Sequence, residues 1–192
     1  MAREFELKFR ASVRQMTAIM EDYAGFREIN METAYYDTPE MDLLPLRWTL
    51  RRRVENGTAV CALKTPCAEG GRCEWETECD DIAAAIPALC ALGAPEELMA
   101  LTQKGVEKVC GARFVRQAAT IEAEGCTVEL ALDRGILQGG ARMILLGEVE
   151  VELKEGSDEA AVAFARAMAA KYGLIPERNS KYIRALDLTG RI

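Results

Sequence analysis

Three segments of this chain place carboxylates on alternate residues. Glu4 and Glu6 precede Lys8, Glu74, Glu76 and Glu78 follow Arg72, and Glu148, Glu150 and Glu152 precede Lys154. Cations keep the same rhythm at Arg51 and Arg53, with Lys64 in the next segment. Period-two spacing gathers such residues on one face of a β-strand. Taken one strand at a time, a charged face is the solvated side of an ordinary sheet. Taken together, the faces stack like charges, which destabilises a sheet unless cations intervene. Divalent metals with oxygen ligands would supply those cations, and the arginine and lysine faces would suit a multiply charged anion. Histidine is absent and no CxxC spacing occurs among the seven cysteines. Ser-His-Asp and Cys-His catalysis are therefore excluded, and a structural zinc is disfavoured.

The elements that must position these residues are mainly strands. Alternation predicts them over residues 3–10 and near 32–37, 47–55, 58–65, 71–79, 106–117, 118–124, 126–134 and 143–154. Asn56-Gly57 reads as a type I′ hairpin turn, and Glu124-Gly125 serves a later hairpin. Ser12 and Gln15 form a capping box ahead of a helix that stops near Gly25. Asp80 or Asp81 opens a second helix, which Pro87 should break or kink before Gly93. Ser157 caps a third helix ended by Gly173 and Pro176, and a short helix follows Asn179 or Ser180. Short connections make the sheet mostly antiparallel. The apolar strand faces (Phe5, Leu7, Phe9; Val149, Val151, Leu153) need cover, which amphipathic helices can give. The fold class expected is α+β, a β-barrel with a charged lumen and helices packed outside. Trp75 has outward parity and should pack in the core. Cys61, Cys73 and Cys79 share the apolar faces, so reduced, buried thiols are expected.

The 192 residues suit a single domain, 1–192, large enough for a real core. A formal charge of −7 disfavours binding to nucleic acid or anionic lipid. No apolar run approaches a membrane span and the N-terminus lacks a signal-peptide core, so a cytoplasmic location without membrane contact is expected. A homodimer through helical faces is compatible with the sequence.

In order along the chain, Glu4-Phe5-Glu6-Leu7-Lys8, Tyr35-Tyr36-Asp37-Thr38-Pro39, Leu50-Arg51-Arg52-Arg53, Ala62-Leu63-Lys64, Arg72-Cys73-Glu74-Trp75-Glu76, Glu129 to Gly135, Glu148 to Lys154 and Ser180-Lys181-Tyr182 resemble the motifs of the CYTH superfamily, the triphosphate tunnel metalloenzymes. The resemblance spans nearly the whole chain. It implies an eight-stranded antiparallel tunnel that binds a small-molecule triphosphate with Mg²⁺ or Mn²⁺. By that likeness Lys8, Arg51, Arg53, Lys64 and Lys181 grip phosphate oxygens, together with Arg113 or Arg116, whose opposite parity admits one of them to the lumen; Arg116 is preferred. Glu4, Glu6, Asp133, Glu148 and Glu150 would hold metal, with Glu152, Glu129 and Glu76 as further contributors. Arg52 should face outward. The activity implied is hydrolysis, foremost of inorganic triphosphate. The alternatives are a class IV-like adenylate cyclase, a thiamine triphosphatase with Trp48 or Trp75 stacking on its substrate, and a non-catalytic polyphosphate or nucleotide binder.

Overall fold

The computed structural model describes residues 2–68 and 70–192. The N-terminal alternation forms β1 (Ala2–Glu4) and β2 (Glu6–Arg10), interrupted at Phe5. Next come α1 (Val13–Asp22), β3 (Arg27–Asp37), β4 (Thr49–Glu55), β5 (Thr58–Pro66) and β6 (Arg72–Glu78). A helical segment follows, α2 (Ile82–Ala91) and α3 (Glu97–Leu101), extended by a 3-10 turn at Thr102–Lys104. Three long strands, β7 (Glu107–Ala123), β8 (Cys126–Gly139) and β9 (Arg142–Gly156), lead to α4 (Asp158–Tyr172), β10 (Ile175–Pro176) and α5 (Lys181–Asp187).

All pairings are antiparallel, in the order β1-β6-β5-β4-β3-β7-β8-β9-β2-β10. Only Phe5 separates β1 from β2, yet β1 pairs with β6 and β2 with β9. One N-terminal run therefore touches both flanks of the sheet and curls it into a barrel-like tunnel. At the break the Phe5 carbonyl accepts from Leu153 N–H at 2.9 Å. Among the described residues the sheet counts ten strands instead of the expected eight, because the first strand divides and the two-residue β10 joins the edge. The strands expected at 106–117 and 118–124 are one continuous strand, β7, paired with β8 in unbroken register from Gly111 to Ala123.

Local signals explain the ends of the elements. Ser12 and Gln15 make the reciprocal capping box, and Gln15 also donates to the carbonyls of Tyr172 and Gly173, tying α1 to the end of α4. Asp81, not Asp80, caps α2, accepting from the N–H groups of Ala83 and Ala84. Pro87 does not break that helix, which continues to Ala91. Asn56 and Gly57 both have positive φ, as a type I′ turn demands, whereas only Gly125 does in the later hairpin.

Two apolar layers lie under the helices outside the sheet. Phe9, Val128, Leu130, Val149 and Val151 meet Met16 and Ile19 of α1 and Ala161, Ala165 and Met168 of α4. Leu50, Leu63 and Trp75 meet Ile86, Leu89 and Leu98 of α2 and α3. The third layer is different. Met31, Tyr35, Phe114, Leu137 and Leu146 have the parity of the charged face, and Tyr182, Ala185 and Leu186 of α5 pack on them. Helices were expected to pack outside; α1, α2, α3 and α4 do, and α5 is the exception, seated inside the curl. At Gly139 the fit is so close that an added Cβ would meet the Ala185 carbonyl at 2.2 Å.

A second correction concerns sulfur. Cys67 and Cys73 form a disulfide across the β5–β6 hairpin with Cα atoms 5.2 Å apart, where reduced thiols were expected. Cys73 pairs in register with Thr65, so the short hairpin loop returns the chain to Cys67. Strand parity says which face a cysteine occupies but not where a hairpin loop returns. Cys61 and Cys79 stay unpaired.

Candidate functional site

The charged strand faces line one cavity of about 730 Å³. Its walls include Glu4, Glu6, Lys8, Arg51, Arg53, Lys64, Arg72, Glu74, Glu76, Arg116, Glu129, Glu150 and Glu152, with Lys181 at the α5 end. Strand register sets them in rows. Glu6 stands opposite Glu152, which stands opposite Glu129; Lys8 stands opposite Glu150; Asp133 stands opposite both Glu148 and Arg116.

The basic side of the cavity is crowded. Arg51 donates to Glu74 at 2.9 Å, Lys64 bonds both oxygens of Glu4, and Arg72 reaches Thr49 Oγ1 and the Lys64 carbonyl. Even so, Arg51 Nε, Arg53 Nε and Arg72 Nε are buried without a hydrogen-bond partner. Burial, and then the charges of Arg51 and Arg116, lower the pKa of Arg53. Buried guanidinium donors without acceptors are costly, and an oxyanion is the group that would satisfy them.

The acidic side has two parts. In the row of Glu6, Glu152 and Glu129, each carboxylate has one cation beside it: Lys8 at 2.9 Å, Lys154 at 2.7 Å and Arg27 at 3.0 Å. Burial raises the pKa of Glu152, and the like charges of Glu4 and Glu129 add to it. The second part is Asp133, Glu148 and Glu150, whose oxygens converge within 4.8 Å. Among the described residues this is the group of three acids close enough to hold one metal ion together. Lys181 enters it from α5 and Arg116 from β7, while Arg184 bonds Glu148 from the next turn of α5. Burial and Glu150 push Glu148 up to about 7, whereas Lys181 and Arg116 overcome burial and hold Glu150 well below the usual range.

Residues 2–186 match the CYTH domain. The chain belongs to the CYTH family. Solved structures share this fold at low identity. The PH1819 protein of Pyrococcus horikoshii OT3 superposes with a TM-score of 0.63 at 23% identity, over 98% of this chain and 99% of that one. HpAC1 of Hippeastrum, an adenylyl-cyclase candidate described as having a dominant triphosphatase activity, gives 0.64 at 20% identity over 100% and 97%. An adenylate-cyclase candidate of Bacillus halodurans gives 0.61 at 16% identity over 93% and 95%. These identities establish the fold and leave the reaction to the site.

Within this CYTH fold most of the residues expected from the sequence converge. Arg116 points into the curl. Arg113 does not; it is 71% exposed on the outer face beside Glu32, because it differs from Arg116 in parity and no bulge intervenes. Asp133 and Glu148 are fully buried behind Lys181 and do not line the cavity. Glu76 lies exposed at the rim. Arg52 points outward, to the Asp80 carbonyl and carboxylate. Trp75 packs in the outer core, while Trp48 borders the cavity with Leu44 and Ile183.

Sequence reasoning left out four contributors. Arg72 and Glu74 share the parity of Glu76 and were open to the same argument. Arg27 was missed because β3 starts five residues before the predicted strand near residue 32. Arg184 follows Lys181 by one helical turn, a spacing that puts both on one helix face. Among the described residues no helix is long and apolar enough to cross a membrane.

Proposed function

We propose that this protein hydrolyses triphosphate compounds with a divalent metal, inorganic triphosphate foremost, releasing phosphate. The observation that carries the reading is that Arg51, Arg53 and Arg72, each with a buried Nε donor left without a partner, line a cavity with carboxylates on its other side. An anion-binding module needs only the bases, and bare carboxylates would repel its ligand. Keeping both favours metal-assisted phosphoryl chemistry. The triphosphatase activity described for HpAC1 agrees with this reading.

Asp133, Glu148 and Glu150, whose oxygens converge within 4.8 Å, would hold the metal together with Glu4 and Glu6, since their all-oxygen donor set suits Mg²⁺ or Mn²⁺. Such an ion, once bound, neutralises charge on phosphate oxygens and lowers the pKa of coordinated water. The chain's own residues do the rest. Arg51, Arg53 and Arg72 offer a rigid array of N–H donors along the anion. Lys8 and Lys64 add point charges where the basic and acidic walls meet, and Glu6 keeps Lys8 protonated by outweighing the effect of burial. Positions fixed before the substrate arrives need no rearrangement as charge develops in the transition state.

Trp48, Leu44 and Ile183 give one side of the cavity an apolar surface, which favours a second reading: an organic triphosphate, including conversion of ATP to cyclic AMP. One assay separates the two. Phosphate release is measured from inorganic triphosphate, ATP and thiamine triphosphate with EDTA, Mg²⁺ or Mn²⁺, and cyclic AMP is followed in parallel. Metal-dependent release, fastest from inorganic triphosphate, is the expected outcome. Cyclic AMP with pyrophosphate would replace the triphosphatase reading by the cyclase, and no turnover on any substrate would refute both.

A further inference from the structure

Outside the tunnel, one broad stretch of the sheet lies under neither helical layer. The layer beneath α1 and α4 begins at Leu132 and Val149, and the layer beneath α2 and α3 reaches Leu50, Leu63 and Trp75. Between them, strand register aligns Val54, Glu32, Arg113, Ile136 and Leu145 in one outward row across β4, β3, β7, β8 and β9. The next row holds Asn30, Val115 and Arg134. Leu145 is 86% exposed, the most of any large apolar side chain among the described residues, and Met143 is 61% exposed on the same face. Apolar side chains standing in water on a regular strand mark a surface that another surface covers.

The face is uneven in shape and in charge. On the β3–β4 side it sinks into an open groove of about 780 Å³ bordered by Asn30, Glu32, Val54 and Val115. On the β9 side Leu145 and Met143 stand out from it. The exposed acids Glu28 and Glu32 lie on β3, the exposed Arg134 on β8, and β7 runs between them. Such a surface is complementary to its own copy after a half-turn about the direction of β7. The turn lays β8 and β9 of each copy on β3 and β4 of the other. Leu145 then faces Val54 and the groove, and Arg134 faces Asn30, between Glu28 and Glu32. Arg113, on the axis, has Glu32 at 3.0 Å, so its charge enters the contact already paired. Five strands about 4.8 Å apart and three rows about 6.8 Å apart give a footprint of roughly 500 Å² per copy. Two copies reach about 1,000 Å² in total, where specific interfaces begin.

We infer that this outer face of β3, β4, β7, β8 and β9 is the contact between two copies of the chain, with the two-fold axis along β7. The two sheets pack face to face, as in a sandwich. The helical faces, which the sequence admits for a homodimer, stay in solvent. Because the contact uses the outer side of the strands, the residues of the lumen keep their surroundings, and the inference is read without turnover.

Sedimentation velocity and light scattering on the purified full chain, from about 1 to 100 µM, test it. Twice the chain mass is expected in the upper part of that range. Leu145→Glu sets a carboxylate against the partner's apolar groove and should raise the dimer Kd about a hundredfold or more, leaving a monomer with wild-type circular dichroism. Arg134→Glu should weaken the dimer about tenfold. Adding Glu28→Arg to that variant should restore it, since β7 separates the two positions within one copy. Leu92→Glu and Met99→Glu, at exposed positions of the α2–α3 segment, should change nothing. A monomer at every concentration would overturn the inference, whatever other protein the face then bound. So would a dimer untouched by Leu145→Glu, or one broken by Leu92→Glu or Met99→Glu. If Leu145→Glu does not fold, the charge reversal at Arg134 and its rescue decide the matter.

Discussion

Glu74 is held between Arg51 and Lys64, at 2.9 and 3.4 Å. Burial opposes its charge, but these two cations outweigh burial and lower its pKa. A carboxylate whose folded pKa is depressed stabilises the fold above the unfolded value, about 4.3, and loses that contribution as pH falls through the folded one. Glu74→Gln should therefore cost about 1.5–3 kcal/mol at pH 7, and the gap to wild type should close below about pH 4. Urea midpoints measured across that range check it; a gap independent of pH would show that charge is not the cause. Two other substitutions separate the walls of the site. Arg53→Ala removes a buried Nε donor without a partner, along with the ion pair to Glu55, and should raise KM about tenfold or more, with a smaller change in kcat. Glu152→Gln alters the acidic row and should lower kcat by about a hundredfold at saturating substrate. Steady-state kinetics on inorganic triphosphate distinguishes the two patterns, and the opposite assignment of effects would exchange the roles of the two walls.

At the scale of elements, α5 decides most. It is a seven-residue helix, too short to persist alone, so its place depends on the surface that receives it. Gly139 is the critical point of that surface. A valine side chain there would collide with the Ala185 carbonyl and with Leu188, whose Cβ would lie 2.8 Å from even the first added carbon. Gly139→Val should cost about 1–3 kcal/mol through overpacking and withdraw Lys181 from its carboxylates. A lowered denaturation midpoint is the check; unchanged stability would mean that α5 is not seated as described. The expectation of helices packed outside holds for α1, α2, α3 and α4 and not for α5, for an element-level reason. Apolar residues of α5 and polar residues around it satisfy either face, and periodicity does not say which face of a curled sheet a short helix will meet.

For the molecule as a whole, the formal charge of −7 conceals a division of charge. Arg51, Arg53, Lys64 and Arg72 gather on one side of the lumen, and Glu6, Glu129 and Glu152 on the other. Single ion pairs offset much of this charge, yet like charges still adjoin on each side. Triphosphate and Mn²⁺ together should therefore raise Tm. At a hundredfold excess over Kd the linkage is worth about 2.7 kcal/mol, or about 5–10 °C for a chain of this length. Triphosphate with EDTA should give a clearly smaller rise. Equal rises with and without metal would argue for a simple anion-binding module.

Composition and alternation alone determined much of this protein. The missing histidine left chemistry to carboxylates and bases; period-two runs such as Glu148-Val149-Glu150-Val151-Glu152 marked which residues share a face; the order of motifs indicated the CYTH family. Parity also separated Arg116 from Arg113 and turned Trp75 outward. These are local properties, set by the pleat of the backbone. Tertiary structure alone decided which acids face which bases. The break at Phe5 sends one strand to both flanks of the sheet, the β5–β6 loop brings Cys67 to Cys73, and α5 inserts Lys181 among Asp133, Glu148 and Glu150. Each outcome depends on where distant segments meet once the sheet has curled, and alternation along the chain carries no record of that curvature.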